Sequence, residues 1–441
     1  MTISAPVRLG PRSWLLGCLL LSMLLVSCRQ PAPERVMLRY PHGYRFEPNE
    51  ISKRAALTQQ FTQRTGIQIG EMPQPESSFE QLDLLRKLLR PGNSGIDLLG
   101  IDPIWSATLA SDLVDLGSDS TTEISSLDPQ LLPSYTVAGK LVAIPYQVNV
   151  GALEYRSDLL RQYGYDHPPR TWDELERMAQ RIQSGERAKG NKDFWGYVWQ
   201  GAAGEALTCN ALEWQVAEGG GRIIEGDGTI SVNNPAVIRA WQRAKRWIGS
   251  ISPPSVAAFH EIDSMNEFGS GRAAFNRVWL GTTITRGGRS SRIYWRNLNP
   301  IVETGFASMP GGPGGSGGTL GGSGLAVSQY SAHRSEAIEF VQFLVRAQIQ
   351  SNEERKSAPP GRFVIANLPS VPDQHNEHGM NWISRPFVVA GARYMPVSAA
   401  YAAVVRAVLT GQKQAPQAAA DLEKQLVQIT GFRTGPPQTP K

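Results

Sequence analysis

Ile96-Asp97-Leu98-Leu99-Gly100-Ile101-Asp102 is a short apolar run that ends on a carboxylate. An apolar run of this length reads as a buried strand. Its surroundings decide what kind of sheet it joins. Upstream, Arg35 to Tyr40 is a first strand candidate. Ile51, Ala55, Leu57 and Phe61 then recur at helical spacing within Pro48 to Thr65, and Gly66 stands at a stop position. Ile67 and Ile69 mark a second strand. Phe79 to Leu89 reads as an amphipathic helix stopped by Pro91-Gly92. Strands alternating with helices predict an α/β fold built on a sheet of mainly parallel strands.

The pattern continues downstream. Lys140 to Tyr146 and Val150 to Tyr155 are two strand-like runs on either side of Gln147-Val148-Asn149. Thr171 with Glu174 three residues on is a capping box, which satisfies free amides at a helix start. Asn234-Pro235 opens another helix, with Ile238, Trp241 and Ala244 on one face. Phe268 to Phe275 reads as a turn of helix running into Val278-Trp279. Met309 to Gly324 reads as a glycine-rich loop. Glu336 to Gln348, Val397 to Leu409 and Pro416 to Ile429 are helices, the last with proline at its tolerated first position. Thr434 to Lys441 is proline-rich and expected to be a disordered tail. No internal repeat is visible.

The N-terminus carries an export signal. Arg8 and Arg12 lead an apolar run from Trp14 to Val26, which ends at Ser27-Cys28. The run falls short of the roughly 20 apolar residues that a spanning helix needs, and no second segment is long enough to span. The net charge of the 441 residues is +5; removing residues 1–27 takes away two arginines and no acid and leaves +3. A balance so near zero argues against a nucleic-acid surface. The size suits two domains or one bilobal unit. Of three cysteines, only Cys209 lies beyond Cys28, amid Leu207 to Leu212, and reads as a buried thiol.

Two resemblances follow from these residues. Cys28 after the small Ser27 resembles the lipobox of bacterial lipoproteins, in which the chain is cut before the cysteine and the thiol receives a diacylglycerol. That implies a signal peptide over 1–27, a lipid-anchored tether over 28–35, and a protein held on the periplasmic or outer face of the cell membrane. The rest of the chain resembles the extracellular solute-binding proteins of ABC importers, in the sugar-binding branch. The matching pieces are Phe61 to Ile67, Ile96 to Asp102, Pro145 to Arg156, Thr171 to Leu175, Phe268 to Phe275 and Gly321 to Val327. Trp195 to Gly201 with Glu205 to Trp214, and Leu422 to Leu426 ahead of Thr430-Gly431-Phe432, are similar to the trehalose/maltose-binding group of that family. The resemblance implies a bilobal fold whose two α/β lobes close on a ligand. One lobe would comprise 36–147 with 273–325, the other 148–272 with 326–433. Asn149-Val150-Gly151 and the glycine-rich loop would lie near the crossovers.

A sugar presents hydroxyls at its rim and C–H faces above and below, so its site needs acids, amides and guanidinium groups in plane and aromatic rings on the faces. The resemblance implies ligand contacts from Glu50, Gln81, Asp102, Gln147, Asn149, Trp279, Gly322, Ser323 and Arg385. Asp102 closes its strand where open α/β sheets bind ligands; it also stands where it can cap a turn begun by Pro103. Trp279 takes the stacking position. Ser323 stands where the trehalose/maltose relatives carry a tryptophan, and Gln81 where they carry an arginine. Both departures put the identity of the sugar in question. Trp241 and Trp247 fit a helix packing face, whereas Trp195, Trp199 and Trp214 could serve core or cleft. The run Gly311 to Gly324 lacks the lysine of a phosphate loop. His375 and His378 have no obvious companion ligand, and no metal or cofactor is expected. The expected partners are a di- or oligosaccharide, the transmembrane subunits of a permease and membrane lipid, with the chain a monomer and not an enzyme. Rival readings are a secreted glycoside hydrolase, which needs two carboxylates across the scissile bond, and a sugar-sensing receptor subunit.

Overall fold

The computed structural model describes residues 36–42, 48–75, 78–118, 131–280, 303–356 and 382–438, with short pieces at 124–125, 127 and 291–292. Cys28 and the histidines at 375 and 378 lie outside the described residues.

Strand β1 (Met37–His42) leads into helix α1 (Pro48–Thr65), and strand β2 (Gln68–Pro73) returns parallel to β1. The helix ends where Gly66 adopts a φ of 78°, which only glycine takes without strain. Helix α2 (Ser78–Leu88) and strand β3 (Leu98–Ile101) follow. Asp97, just ahead of β3, accepts the Arg39 amide at 2.7 Å and so fixes β3 beside β1.

The chain then runs through β4 (Ile144–Arg156), α3 (Trp172–Ala188), β5 (Trp195–Val198), α4 (Glu205–Ala217), α5 (Pro235–Trp247) and α6 (Glu261–Gly269). It continues through β6 (Ala273–Leu280), β7 (Glu303–Ser308), β8 (Gly318–Val327), α7 (Arg334–Lys356), β9 (Trp382–Ile383), α8 (Tyr394–Leu409) and α9 (Ala415–Thr430). The helix starts lie where the sequence reading puts them, but the capping box is half made: Glu174 Oε2 accepts the Arg170 amide at 2.7 Å instead of that of Thr171. Thr171 Oγ1 accepts the Glu174 amide and Asn234 Oδ1 accepts the amides of Ala236 and Val237, each capping its helix.

The strand directions correct the expectation of a mainly parallel sheet. β4 pairs antiparallel with β6, β7 and β8, and β8 pairs antiparallel with β3. Among the described residues, the parallel strand pairs are β1 with β2, β5 with β6 and β8 with β9. Partners far apart in sequence set these directions, and local alternation carries no information about them.

Three further corrections bear on the site. Of the two runs flanking Gln147-Val148-Asn149, Lys140–Leu141 stand apart, and Ile144–Arg156 is one continuous thirteen-residue strand, β4. Its first half pairs with β8 and its second half with β6 and β7. The glycine-rich segment is a loop only up to residue 317; Gly318 to Gly324 form part of β8. These glycines serve close approach. A Cβ on Gly318 would sit 1.9 Å from the Gly151 carbonyl oxygen, one on Gly322 2.2 Å from that of Gln147, and one on Gly324 2.6 Å from the Tyr135 ring. Finally, Phe268 to Phe275 is not a continuous helical turn, because α6 ends at Gly269 and β6 begins at Ala273.

β6 pairs with β5 and with the second half of β4, so 273–280 packs with the 148–272 body. α7 sets Phe340 4.8 Å and Phe343 5.3 Å from the ring of Phe61 in α1, so it packs with the first body. The second body is centred on aromatic rings: Trp172, Tyr197, Trp199, Trp214 and Trp247 are all buried within 5.0–6.5 Å of a neighbour. Trp199 and Trp214 thus belong to the core, as Trp241 and Trp247 do. Trp195 is half-buried under the Arg187 guanidinium, 4.3 Å from its ring centre. The segment Phe387–Leu409 is apolar and long enough to cross a membrane by composition, contrary to expectation. Tyr394, Val397, Tyr401, Val405 and Val408 are nevertheless buried in the helical core of this body. The tail expected to be disordered is anchored over its first residues: Thr434 bridges to Ile230, and the Gly435 amide donates to the Ile230 carbonyl at 3.1 Å.

Candidate functional site

Asp102 follows the last residue of β3. Its Oδ1 accepts the Ile104 amide at 3.1 Å, with Pro103 at the first position of the turn. The same oxygen accepts Arg385 Nη2 at 3.0 Å, across 283 residues of chain. Arg385 is buried, with its side chain 1% exposed, whereas that of Asp102 is 25% exposed. The other arm of the guanidinium, Nη1, donates to Glu205 at 2.8 Å. Glu205, in the first turn of α4, also accepts the hydroxyls of Tyr394 and Ser398, each at 2.5 Å. Arg385 Nε is buried and has no hydrogen-bond partner among the described residues.

The electrostatics follow from this packing. Burial pushes the Asp102 carboxyl above its usual range, and Arg385 opposes the shift. Burial also works against the Arg385 guanidinium, yet Asp102 and the other groups around it hold its pKa well above the ordinary value. The Cys209 thiol is pushed up to about 12 by burial and is inert, as its apolar context implied.

A second group of candidates lies on the sheet. Directly opposed residues in an antiparallel pair share a face, and so do residues two apart on one strand. Gln147 opposes Ser323, Asn149 opposes Gly321, and Gly151 opposes Trp279. One face of β4, β6 and β8 therefore carries Gln147, Asn149, Trp279 and Ser323. Ser323 Oγ comes within 3.4 Å of Gln147 Oε1. Trp279 is half-buried, and a Cβ on Gly321 would lie 3.0 Å from its ring. Gly322 contributes backbone at a φ of 142°.

Trp279 is held from beneath. The Arg277 guanidinium lies 4.0 Å from its ring centre, a cation–π contact. Arg277 is fully buried, paired with Glu213 at 2.6 Å and with the Thr319 hydroxyl at 2.9 Å. Burial pushes the Glu261 carboxyl up, and its own backbone amide, the charges of Arg277 and His260, and a hydrogen bond from Trp279 draw it back.

Two expected site residues lie on the first two helices. Gln81 is buried in α2, where its amide donates to the Pro75 carbonyl at 2.8 Å. Glu50 lies in the first turn of α1. Sequence reasoning missed Glu205, Glu213, Arg277 and Glu261. A signal was present. Glu205 and Glu213 interrupt the apolar run Glu205–Ala217, and Arg277 interrupts the apolar strand Ala273–Leu280; a charge there demands a buried partner. Among the described residues no group of three His, Cys, Asp or Glu could hold a metal ion.

Comparison with known proteins gives this arrangement its context. Residues 48–351 match the family model described as bacterial extracellular solute-binding protein. The chain is 36% identical over 385 residues to a Deinococcus radiodurans protein described as a probable ABC transporter-binding protein, covering 84% of this chain and 89% of that one. Among solved structures, maltose-bound MalE3 of T. maritima aligns with a TM-score of 0.75 at 28% identity, over 89% of this chain and 100% of that chain. The GacH receptor of Streptomyces glaucescens, solved unliganded and with acarbose, aligns in fold with a TM-score of 0.71 at 20% identity, over 91% of this chain and 100% of that one.

Proposed function

The chain belongs to the bacterial extracellular solute-binding proteins, a bilobal family of binding proteins rather than enzymes, and on that premise we propose that it captures a di- or oligosaccharide of the trehalose/maltose kind for an ABC importer. The observation that carries the reading is the meeting of Asp102 with Arg385, 3.0 Å apart and brought together from distant parts of the chain. A carboxylate that is part exposed, beside a buried guanidinium with one donor unused, suits an array of sugar hydroxyls. The half-buried Trp279, backed by Arg277, offers a flat platform for a sugar face. Gln147, Asn149 and Ser323 line the same sheet face with neutral hydrogen-bonding groups, and Gly322 keeps the backbone close. Glu50 and Gln81 complete the proposed set from α1 and α2.

Binding works by differential affinity. A ligand that touches Asp102 on one body and Trp279 on the other gains its full contacts only when the two close, so it shifts the population toward the closed form. β4 and β8, which run between the bodies, are the proposed crossovers. The closed form then docks on the permease subunits. The leader ending at Ser27 exports the chain, and lipidated Cys28 with the tether to residue 35 holds it at the envelope as a monomer.

Titration of intrinsic fluorescence with maltose, trehalose, sucrose and longer glucans tests the reading. The expected result is saturable quenching by one of them at micromolar concentration, lost in Trp279→Ala. Absence of any response from the folded wild-type protein removes the sugar assignment, and Ser323 and Gln81 then mark where the ligand differs.

A further inference from the structure

We propose that Glu205 is a positioning residue of this site: it orients the Arg385 guanidinium so that, in the part of the ligand-free population that is closed, the Arg385–Asp102 ion pair clasps the end of β3 to the helical body of α4 and α8, and a ligand hydroxyl that arrives at Asp102 takes the place of Arg385 there. The ligand half of this inference rests on the function proposed above; the clasp itself does not.

The geometry supplies the argument. A guanidinium is a planar fork, so fixing one arm fixes the aim of the other. Nη1 is fixed by Glu205 at 2.8 Å, and Nη2 then reaches Asp102 at 3.0 Å. Glu205 is itself immobilised. Its two oxygens accept Arg385, Tyr394 and Ser398, and the last two donors both belong to α8. Ser398 is tied in turn to Thr208 of α4 at 2.7 Å. Glu205 also sits in the first turn of a thirteen-residue helix, where the helix dipole favours its negative charge.

Asp102 is the opposite case. One of its oxygens takes both the Ile104 amide and Arg385, and a quarter of its side chain faces solvent. The Glu205 side chain is only 7% exposed, so Asp102 is the acid that a ligand meets first. The exchange is thus one-sided: a hydroxyl donor displaces Nη2 at Asp102, and the guanidinium remains anchored at Glu205 with Nη2 and Nε free to donate to ligand oxygens. The two acids and one guanidinium together carry one net negative charge, which receives hydroxyl donors and repels an anionic solute.

The test compares the purified full chain with Glu205→Gln, Asp102→Asn, Arg385→Lys and the Glu205→Gln/Asp102→Asn pair. Small-angle scattering without ligand reads the clasp. The expected result is a larger radius of gyration in each single variant and no further increase in the double variant, because both changes break one contact. Maltose and trehalose titrations read the positioning. Glu205→Gln is expected to weaken binding at least tenfold with the quenching amplitude from Trp279 unchanged. Arg385→Lys keeps the charge but cannot fork between two acids, so it covers the case in which Glu205→Gln does not fold, and it should open the ligand-free protein equally. Wild-type scattering and affinity in Glu205→Gln and Arg385→Lys overturn the proposal, as do additive effects in the double variant. If the wild-type protein binds neither sugar, the proposed function fails while scattering still decides the clasp.

Discussion

At the residue scale, the support of the site rests on pairs whose members lie far apart in the chain. Glu213 and Arg277 are both 0% exposed and 2.6 Å apart. Glu213 also accepts the Thr319 amide and hydroxyl, which ties α4 to β8. Breaking a buried pair by removing one charge costs about 3–5 kcal/mol, because the other is left uncompensated. Glu213→Leu should therefore destabilise the protein by about that much in urea unfolding. Glu213→Leu/Arg277→Met, which removes both charges, should recover most of the loss. A double variant as unstable as the single one would show that the pair is not what holds α4, β6 and β8 together. The resemblance marks Asp102, Trp279 and Arg385 as ligand contacts. Glu205 and Glu213 lie in the segment Glu205 to Trp214 that carries the resemblance, yet their roles were not legible, since their partners stand 64 or more residues away and no local pattern joins them.

At the element scale, what is local was legible and what is long-range was not. Thr171 and Asn234 cap helices through bonds to amides two or three residues on, so the sequence alone places α3 and α5. The middle of β4 and the first half of β8 defeated the same reasoning. Gln147-Val148-Asn149 looks like a break between strands, and a glycine run looks like a loop, because composition does not distinguish glycine chosen for freedom from glycine chosen for close approach. At Gly318 the choice is close approach: an added methyl would meet the Gly151 carbonyl at 1.9 Å. Overpacking of this kind costs about 1–3 kcal/mol, and more where backbone must move. Gly318→Ala should thus lower the unfolding free energy by about 3 kcal/mol. Gly226→Ala, where nothing lies within 4 Å, should stay within about 0.5 kcal/mol of wild type. Equal effects at the two positions would return 318–324 to the status of a loop.

At the scale of the whole molecule, the α/β class was legible from element alternation and the bilobal fold from the resemblance, but the boundaries between bodies were not. They follow packing: α7 joins α1 through Phe340, Phe343 and Phe61, and β6 joins β5. Asp102 follows β3 and Trp279 lies in β6, which pairs with β5, and we propose that the ligand is held by both bodies. A ligand that binds only the folded form stabilises it by about 2.7 kcal/mol at a hundredfold excess over its Kd. If both bodies hold it, neither can unfold without releasing it, and the whole increment falls on whichever body unfolds first. Calorimetric scans with and without the best-binding sugar should therefore show the lower transition rising and merging toward the upper one. If a single body holds the sugar, only that body's transition moves, and the unliganded body melts at its original temperature. That outcome would break the link between Asp102 and Trp279 on which closure depends. Merged transitions in wild type that separate again in Asp102→Asn at the same sugar concentration would assign the coupling to the carboxylate at the end of β3.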